Sequence, residues 1–480
     1  MAAFSSGIYK ARRQELRERM KAESGLVLFV GNTESPAQYG GSCYKWRQDS
    51  SWLYFFGVDE PRFAAIMDLD SGVDTVFADD ADLDDIIWTG PVPSVAERAL
   101  EGGVENTAPY AEFSSRAAAA AKSGRKLHFL PASRLYTANL LAGVVGAAPE
   151  DFFSRGKSGC SLASAPLVNA VIAMRLIKRP EELEELDRIA EIGYEMHTVA
   201  RRNIALGRLE QDIVSAMDEY AYRKGWGTSF PSILTQHGEI FHCSSHANPV
   251  VAGKLLVVDA GAESDSHYAS DHTRTYPTGG VFTPLQRDIY SIVYGCNELA
   301  FSLARPGVSY YDVNVAVCRR MLEGLAGAGF VCGDIDALME IGAAGLFLPH
   351  GLGHNIGLDC HDMEDYGEDL VGYGPGQTRS RHLGLGSLRM ARVLEEGNVM
   401  SDEPGIYFIP ELISRWKNGG KGKGLINYSK LEECFGFGGI RIEDDLVVTS
   451  DGVRRTGSRR LPAAPDDVEN AMKEDQYGNA

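Results

Sequence analysis

Two aspartates at the ends of short apolar runs constrain this chain more than any other feature of its sequence. The run Leu255-Leu-Val-Val-Asp259-Ala-Gly reads as a buried strand that ends in a carboxylate. Tyr268-Ala-Ser-Asp271-His-Thr-Arg-Thr-Tyr276 reads as its return, with the polar loop Glu263-Ser-Asp-Ser-His267 between them. In an unbulged hairpin centred on Asp265, Asp259 and Asp271 stand opposite each other with Cβ atoms about 5 Å apart. Two carboxylates that close repel unless a cation lies between them. The competing reading is a pair of exposed turn carboxylates.

Three further segments carry residues of the same chemical kind. Pro349-His350-Gly-Leu-Gly-His354 is followed by His361-Asp362, and the intervening glycines argue against a helical histidine pair. A Gly-rich loop instead lets backbone and imidazole come close to an ion. Asp402-Glu403-Pro404-Gly405-Ile406-Tyr407 sets a carboxylate just before a Pro-Gly turn, and Pro404 holds Glu403 extended. Gly436-Phe-Gly-Gly-Ile440-Arg-Ile-Glu443 reads as a strand with Ile440 and Ile442 on one face and Arg441 and Glu443 on the other. Taken singly, each histidine is equally a satisfied structural residue and each acid a solvated strand end. Together they offer four carboxylates and one imidazole, the donor types that divalent metals take. The charge of two divalent ions balances that of four carboxylates, which fits a shared two-metal site.

Composition removes other classes. The chain has 480 residues, 47 Lys+Arg against 66 Asp+Glu, and a formal charge of −19. Nucleic acid and anionic membranes need clustered Lys and Arg, so neither is an expected partner. No run of about 18 apolar residues is present, so no membrane span is expected. The start, MAAFSSGIYKARRQELRERM, lacks an apolar signal core. None of the eight cysteines forms a C-x-x-C pair, and reduced thiols in a cytoplasmic protein are the simplest reading.

The chain reads as two domains. Its first ~160 residues mix helix and strand signals, as an α/β layer does. Strands are expected at residues 25–30, 51–57 and 63–68, with helices at 12–21 and 116–124. Gly, Ser, Lys and Pro cluster at residues 154–166, which marks the boundary. Pro180 followed by two glutamates opens an amphipathic helix. Another follows with Ile213 and Met217 inward, and two more run over residues 284–304 and 311–327. Residues 413–432, with the Lys/Gly stretch at 417–424, read as a flexible basic excursion. The last ~17 residues read as a disordered or loosely docked polar tail.

The segments VVDAG…YASDHTRTYP, FLPHGLGHNIGLDCHD, DEPGIYF and FGGIRIEDDLVVT resemble the pita-bread metallopeptidases, and within them the proline-specific branch of prolidase and aminopeptidase P. RQDSSWLYFFGVDEP resembles the creatinase-like N-domain of the same branch. The resemblance implies an α+β pita-bread catalytic domain over residues 166–465, a smaller α/β creatinase-like N-terminal domain over 1–165, and a polar tail over 466–480. It implies two divalent ions, manganese foremost, with zinc, cobalt or iron as alternatives. Asp259, Asp271, His354, Glu403 and Glu443 would be the ligands, Asp271 and Glu443 bridging. His242, His350 and His361 match outer-shell histidines, and Glu403 would also shuttle a proton. Arg389 matches the arginine that holds a substrate carboxylate, and Arg441 one beside the bridging glutamate. The two aspartates are separated by one residue more than the resemblance leads one to expect, which implies an extra loop residue or a bulge. The implied reaction is hydrolysis of the imide bond before proline, in Xaa-Pro dipeptides or at the N-terminus of Xaa-Pro peptides, by a homodimer or higher homo-oligomer. Metal-free pita-bread binding modules are the alternative class. They replace several of the five ligands, and all five are present here.

Overall fold

Many short apolar runs become buried strands in this chain, and one buried polar strand meets part of its hydrogen-bonding need from a neighbouring segment. These relations come from a computed structural model that describes residues 3–243 and 245–478, with side chains up to residue 475. The chain divides into two units, residues 1–175 together with 363–371, and residues 176–362 together with 372–480. The boundary expected near residue 165 coincides with the start of the helix Ala165–Leu176, and the first unit runs on to residue 175.

The first unit holds a mixed five-stranded sheet in the order Asn106–Ala108, Asp74–Phe77, Ala64–Asp68, Leu26–Val30, Leu127–Phe129. Its central pair is antiparallel, Leu26 facing Asp68 and Val30 facing Ala64. The helices Ala111–Lys122 and Leu135–Val145 contribute Phe113, Ala117, Ala138 and Leu141 to the core beside it. Residues 51–57 correct the strand expected there. They form the helix Ser50–Phe56, started by Asp49, whose carboxylate accepts from the Trp52 amide at 2.8 Å, and stopped by Gly57 at φ 69°. Every residue of that helix is buried, so no amphipathic period betrays it.

In the second unit the strand Leu255–Ala260 lies between His272–Pro277 and Ile233–Thr235. A second sheet orders Val399–Asp402, Asp444–Val448 and Val453–Arg455, and Gly405–Tyr407 pairs with Gly439–Arg441. The helices Pro180–Arg202, Glu210–Lys224, Pro284–Leu303 and Tyr310–Gly327 contribute Met196, Ile213, Met217, Ile289, Val293 and Val317 to one continuous core. The strand His272–Pro277 is buried along its whole length despite its polar sequence. Thr273 Oγ donates to Glu443 at 2.6 Å, Arg274 reaches Asp444 and the Glu443 carbonyl, and Thr275 Oγ donates to the Arg441 carbonyl at 3.0 Å. Burying this strand thus fixes the segment that carries Glu443 against it.

Three further expectations are corrected. The hairpin keeps one register from Leu255↔Pro277 to Ala260↔His272 and on to the bridge Glu263↔Ala269, so no bulge is present. It is centred on Ser266, because Ser264 and Tyr268 close the loop at 2.9 Å and His267 takes φ 68°. Asp259 therefore faces Thr273, and Asp271 lies diagonally on the same face. Residues 413–432 are not an open excursion: the helices Pro410–Asn418 and Tyr428–Glu433 bracket the glycines, and the Lys421 ammonium sits 3.6 Å from the Trp416 ring centre. The tail is the helix Pro465–Gly478, which buries Val468 and Met472 and pairs Arg201 with Asp475 at 2.5 Å. Ala480 and its neighbour 479 lie outside the described residues. Among the described residues, no helix is long and apolar enough to cross a membrane.

Candidate metal centre

Each acidic or imidazole group of the centre is delivered by a strand end or a glycine turn. Asp259 comes from the strand Leu255–Ala260 and Asp271 from the residue before the return strand. Glu403 follows the strand Val399–Asp402, and Glu443 lies between the strands Gly439–Arg441 and Asp444–Val448. His354 arrives on the loop 349–354. There a Cβ on Gly353 would lie 2.2 Å from the Ser401 carbonyl oxygen, so only glycine permits the approach.

The groups converge. Ligand atoms of Asp271, His354 and Glu443, all buried, lie within 4.8 Å of one another. His354 Nε2 is 3.4 Å from Asp271 Oδ2 and 3.6 Å from Glu403 Oε1. Its Nδ1 is 3.1 Å from the Asn355 carbonyl, which places the proton there and turns Nε2 to the carboxylates. Ser401 Oγ donates to Glu403 at 3.2 Å. Arg441 spans the other end: it pairs with Asp259 Oδ2 and donates to Thr273 Oγ at 3.0 Å and to Tyr407 at 2.9 Å. Tyr407 and His350 Nε2 are 2.8 Å apart, and His350 Nδ1 is 3.4 Å from Glu403.

The electrostatics are those of crowded acids. Burial, then the neighbouring Asp271, Glu403 and Asp259, holds the Glu443 carboxyl well above its ordinary value. Burial also pushes Asp259 up to about 7 against the pull of Arg441. Burial acts the same way on Asp271, but the neighbouring His354 and the Cys360 thiol outweigh it and hold that carboxyl below its ordinary value. Burial brings His350 down to about 4, so its ring is neutral near pH 7.

Of the residues singled out in the sequence, Asp259, Asp271, His354, Glu403, Glu443, Arg441 and His350 form this one network. His361 stacks on His354 with ring centres 3.7 Å apart, and Arg389 Nη1 is 3.1 Å from His361 Nδ1. His242 is exposed, beside the Phe241 ring that packs edge-on against His350. Three participants were not singled out. Tyr407 links Arg441 to His350, and Asp445 accepts from the Asp271 amide at 2.9 Å. Cys360 donates its thiol to Asp271 Oδ2 at 3.0 Å. Tyr407 and Cys360 both lie inside motifs already marked, four and one residues from a named acid or histidine, and that adjacency was the signal available.

Residues 184–450, more than half of the chain, match the family model for metallopeptidase family M24. The chain belongs to metallopeptidase family M24. Residues 9–128 match the aminopeptidase P N-terminal domain, so the M24 domain is joined to the smaller α/β domain that the sequence resemblance implied. Human Xaa-Pro dipeptidase is 28% identical over 478 residues, covering 97% of this chain and 93% of that protein. Xaa-Pro aminopeptidase of Escherichia coli K12 is 29% identical over 489 residues, covering 98% and 99%. The solved structure of E. coli aminopeptidase P with the inhibitor Pro-Leu superposes with a TM-score of 0.79 at 27% identity, covering 99% of each chain. All the site residues named above from Asp259 to Glu443 fall within the M24 match.

Proposed function

We propose that this M24 chain is a metal-dependent exopeptidase that hydrolyses the imide bond before proline, in Xaa-Pro dipeptides or at the N-terminus of Xaa-Pro peptides. The observation that carries the reading is the cluster of buried carboxylates around His354. Asp259 Oδ1 and Asp271 Oδ1 are buried without a hydrogen-bond partner among the described residues. Oxygens in that state, beside a carboxyl as perturbed as Glu443, fit a divalent cation.

Asp259, Asp271, His354, Glu403 and Glu443 would hold a pair of divalent ions. When bound, the ions polarise the carbonyl before proline and make water nucleophilic near neutral pH. The chain's own groups do the rest. Glu403, held by Ser401 and His350, moves a proton to the leaving nitrogen. His242 or His361 would stabilise the developing oxyanion as a hydrogen-bond donor. Arg441 orients Asp259, and Tyr407 locks Arg441 to His350. The substrate amine lies toward the acidic cluster, as an exopeptidase requires.

Arg389 distinguishes the two sister activities. Its contact with His361, which stacks on His354, supports the reading that it clamps a carboxylate directly behind proline, as a dipeptide presents it. The test is hydrolysis of Gly-Pro and of Ala-Pro-Ala by manganese-loaded protein and by Arg389→Ala. The clamp predicts that the variant loses about tenfold or more on Gly-Pro, with a much smaller loss on Ala-Pro-Ala. Equal losses would contradict the clamp, and absence of hydrolysis of either peptide by the unmodified protein would contradict the proposed activity.

A further inference from the structure

The proposed reaction makes no use of the chemistry of Cys360. This residue lies on the loop 357–361, is 8% exposed, and points its sulfur at one carboxylate oxygen of Asp271. That oxygen, Oδ2, is 3.0 Å from Cys360 Sγ and 3.4 Å from His354 Nε2. The sulfur also lies with ring nitrogens of His354 and His361 in a second group of potential ligand atoms, all within 4.8 Å of one another. His354 thus belongs to two overlapping triads, one with Asp271 and Glu443 and one with Cys360 and His361.

The spacing has a simple reading. Donors at about 2.1 Å (oxygen or nitrogen) and 2.3 Å (sulfur) from one ion stand about 3.1–3.6 Å apart across a coordination edge. The His354 separation at Asp271 Oδ2, 3.4 Å, is of that size, and the Cys360 separation, 3.0 Å, is just below it. The other oxygen of Asp271, buried, has no hydrogen-bond partner among the described residues. The alternative is a thiol that merely fills space and gives Asp271 a weak hydrogen bond, as buried cysteines in apolar cores do. Cys296 and Cys318 are of that kind, packed among Val293, Val317 and Met321. Cys360 instead faces a carboxylate and two imidazoles.

We propose that Cys360 is a sulfur donor to the ion held by Asp271 and His354, and that it moves the preference of this site from manganese toward zinc or cobalt. On binding, the S–H bond gives way to a sulfur–metal bond, and the proton leaves to bulk water. Carboxylate oxygens alone suit manganese, whereas a thiolate favours zinc and cobalt over it. The inference rests on the two-metal reading of the site.

The experiment uses the full chain loaded with cobalt(II), with absorption spectra and metal content measured on the unmodified protein, Cys360→Val, Cys360→Ser and Cys332→Ser. The last controls for the exposed thiol of Cys332. A thiolate-to-cobalt charge-transfer band is expected in the unmodified protein and in Cys332→Ser. It should vanish in both Cys360 variants while cobalt remains bound. In competition, the zinc-over-manganese preference should fall about tenfold in Cys360→Val. If that variant does not fold, Cys360→Ser and the unmodified spectrum decide the matter. Bound cobalt without the band, or a band that survives both Cys360 substitutions, would overturn the role of Cys360 and leave the two-metal reading standing. Failure of the unmodified protein to bind cobalt or manganese at all would overturn both.

Discussion

Glu443 and Asp444 are adjacent acids, both buried, and they meet opposite fates. Asp444 faces Arg274, Arg455 and Arg460, with contacts of 2.5, 2.8 and 2.9 Å. Burial raises its carboxyl, but the three guanidinium groups win and hold it far below its ordinary value. Glu443 faces Asp271, Glu403 and Asp259, and the nearest guanidinium nitrogen, of Arg441, is 3.9 Å away. Its carboxyl is held well above its ordinary value. The protein supplies its own cations on one side of this strand and leaves carboxylates crowded on the other. The fold compensates a buried acid with its own cations one residue away, so the crowded carboxylates at Glu443 fit an external cation.

The sharpest way to break the comparison is to remove each acid. Glu443→Ala should cost on the order of 10³-fold in turnover on Gly-Pro and lower the metal content of the purified protein. Asp444→Asn should leave metal content intact and instead destabilise the fold by about 3 kcal/mol, seen in denaturant unfolding, because Arg274 loses its buried partner. Interchanged outcomes, with Asp444→Asn losing metal and Glu443→Ala losing stability alone, would reverse the assignment of the two sides.

Metal removal sharpens the same contrast. Chelation should lower thermal stability, and restoring manganese or zinc at about 100 times its Kd should return about 2.7 kcal/mol. In Glu443→Ala the restoration should shrink. An unmodified protein whose melting temperature ignores both chelator and metal would argue against a cation in the cluster.

A smaller effect comes from histidines buried without charge. Burial brings His197 down to about 3 and His272 to about 4, from an ordinary 6.5. The unfolded chain therefore binds the extra protons. Stability is full above about pH 6.5 and falls as pH drops toward 4. Thermal melts of metal-free protein between pH 7 and pH 5 should show this decline, and His197→Gln should flatten it. A constant melting temperature over that window would contradict it.

Much of this was readable in the sequence because the signals were local. Pro180 with Glu181 and Glu182 marks a helix start, and the helix Pro180–Arg202 begins there with the same acids in its first turn. Each acid or histidine of the cluster sits at the end of an apolar run or beside a glycine turn, so its placement at a strand end was legible. The rest depended on tertiary contact. The helix Ser50–Phe56 is buried on all sides and carries no period to tell it from a strand. The hairpin register turned on a single residue in the loop, set by His267 and its 2.7 Å contact with Glu263. The C-terminal helix reads as polar until Val468 and Met472 find the core. Cys360 looked like any other thiol until the loop 357–361 set it against Asp271.

Metal ions are expected at the acids around Glu443 and not at those around Asp444. The direct measurement is elemental analysis of unmodified protein, Glu443→Ala and Asp444→Asn after equilibration with one divalent metal and removal of excess. The account predicts a pair of ions per chain in the unmodified protein and in Asp444→Asn, and a clear loss in Glu443→Ala. Equal metal content in all three, or hydrolysis of Gly-Pro by protein stripped of metal, would contradict it.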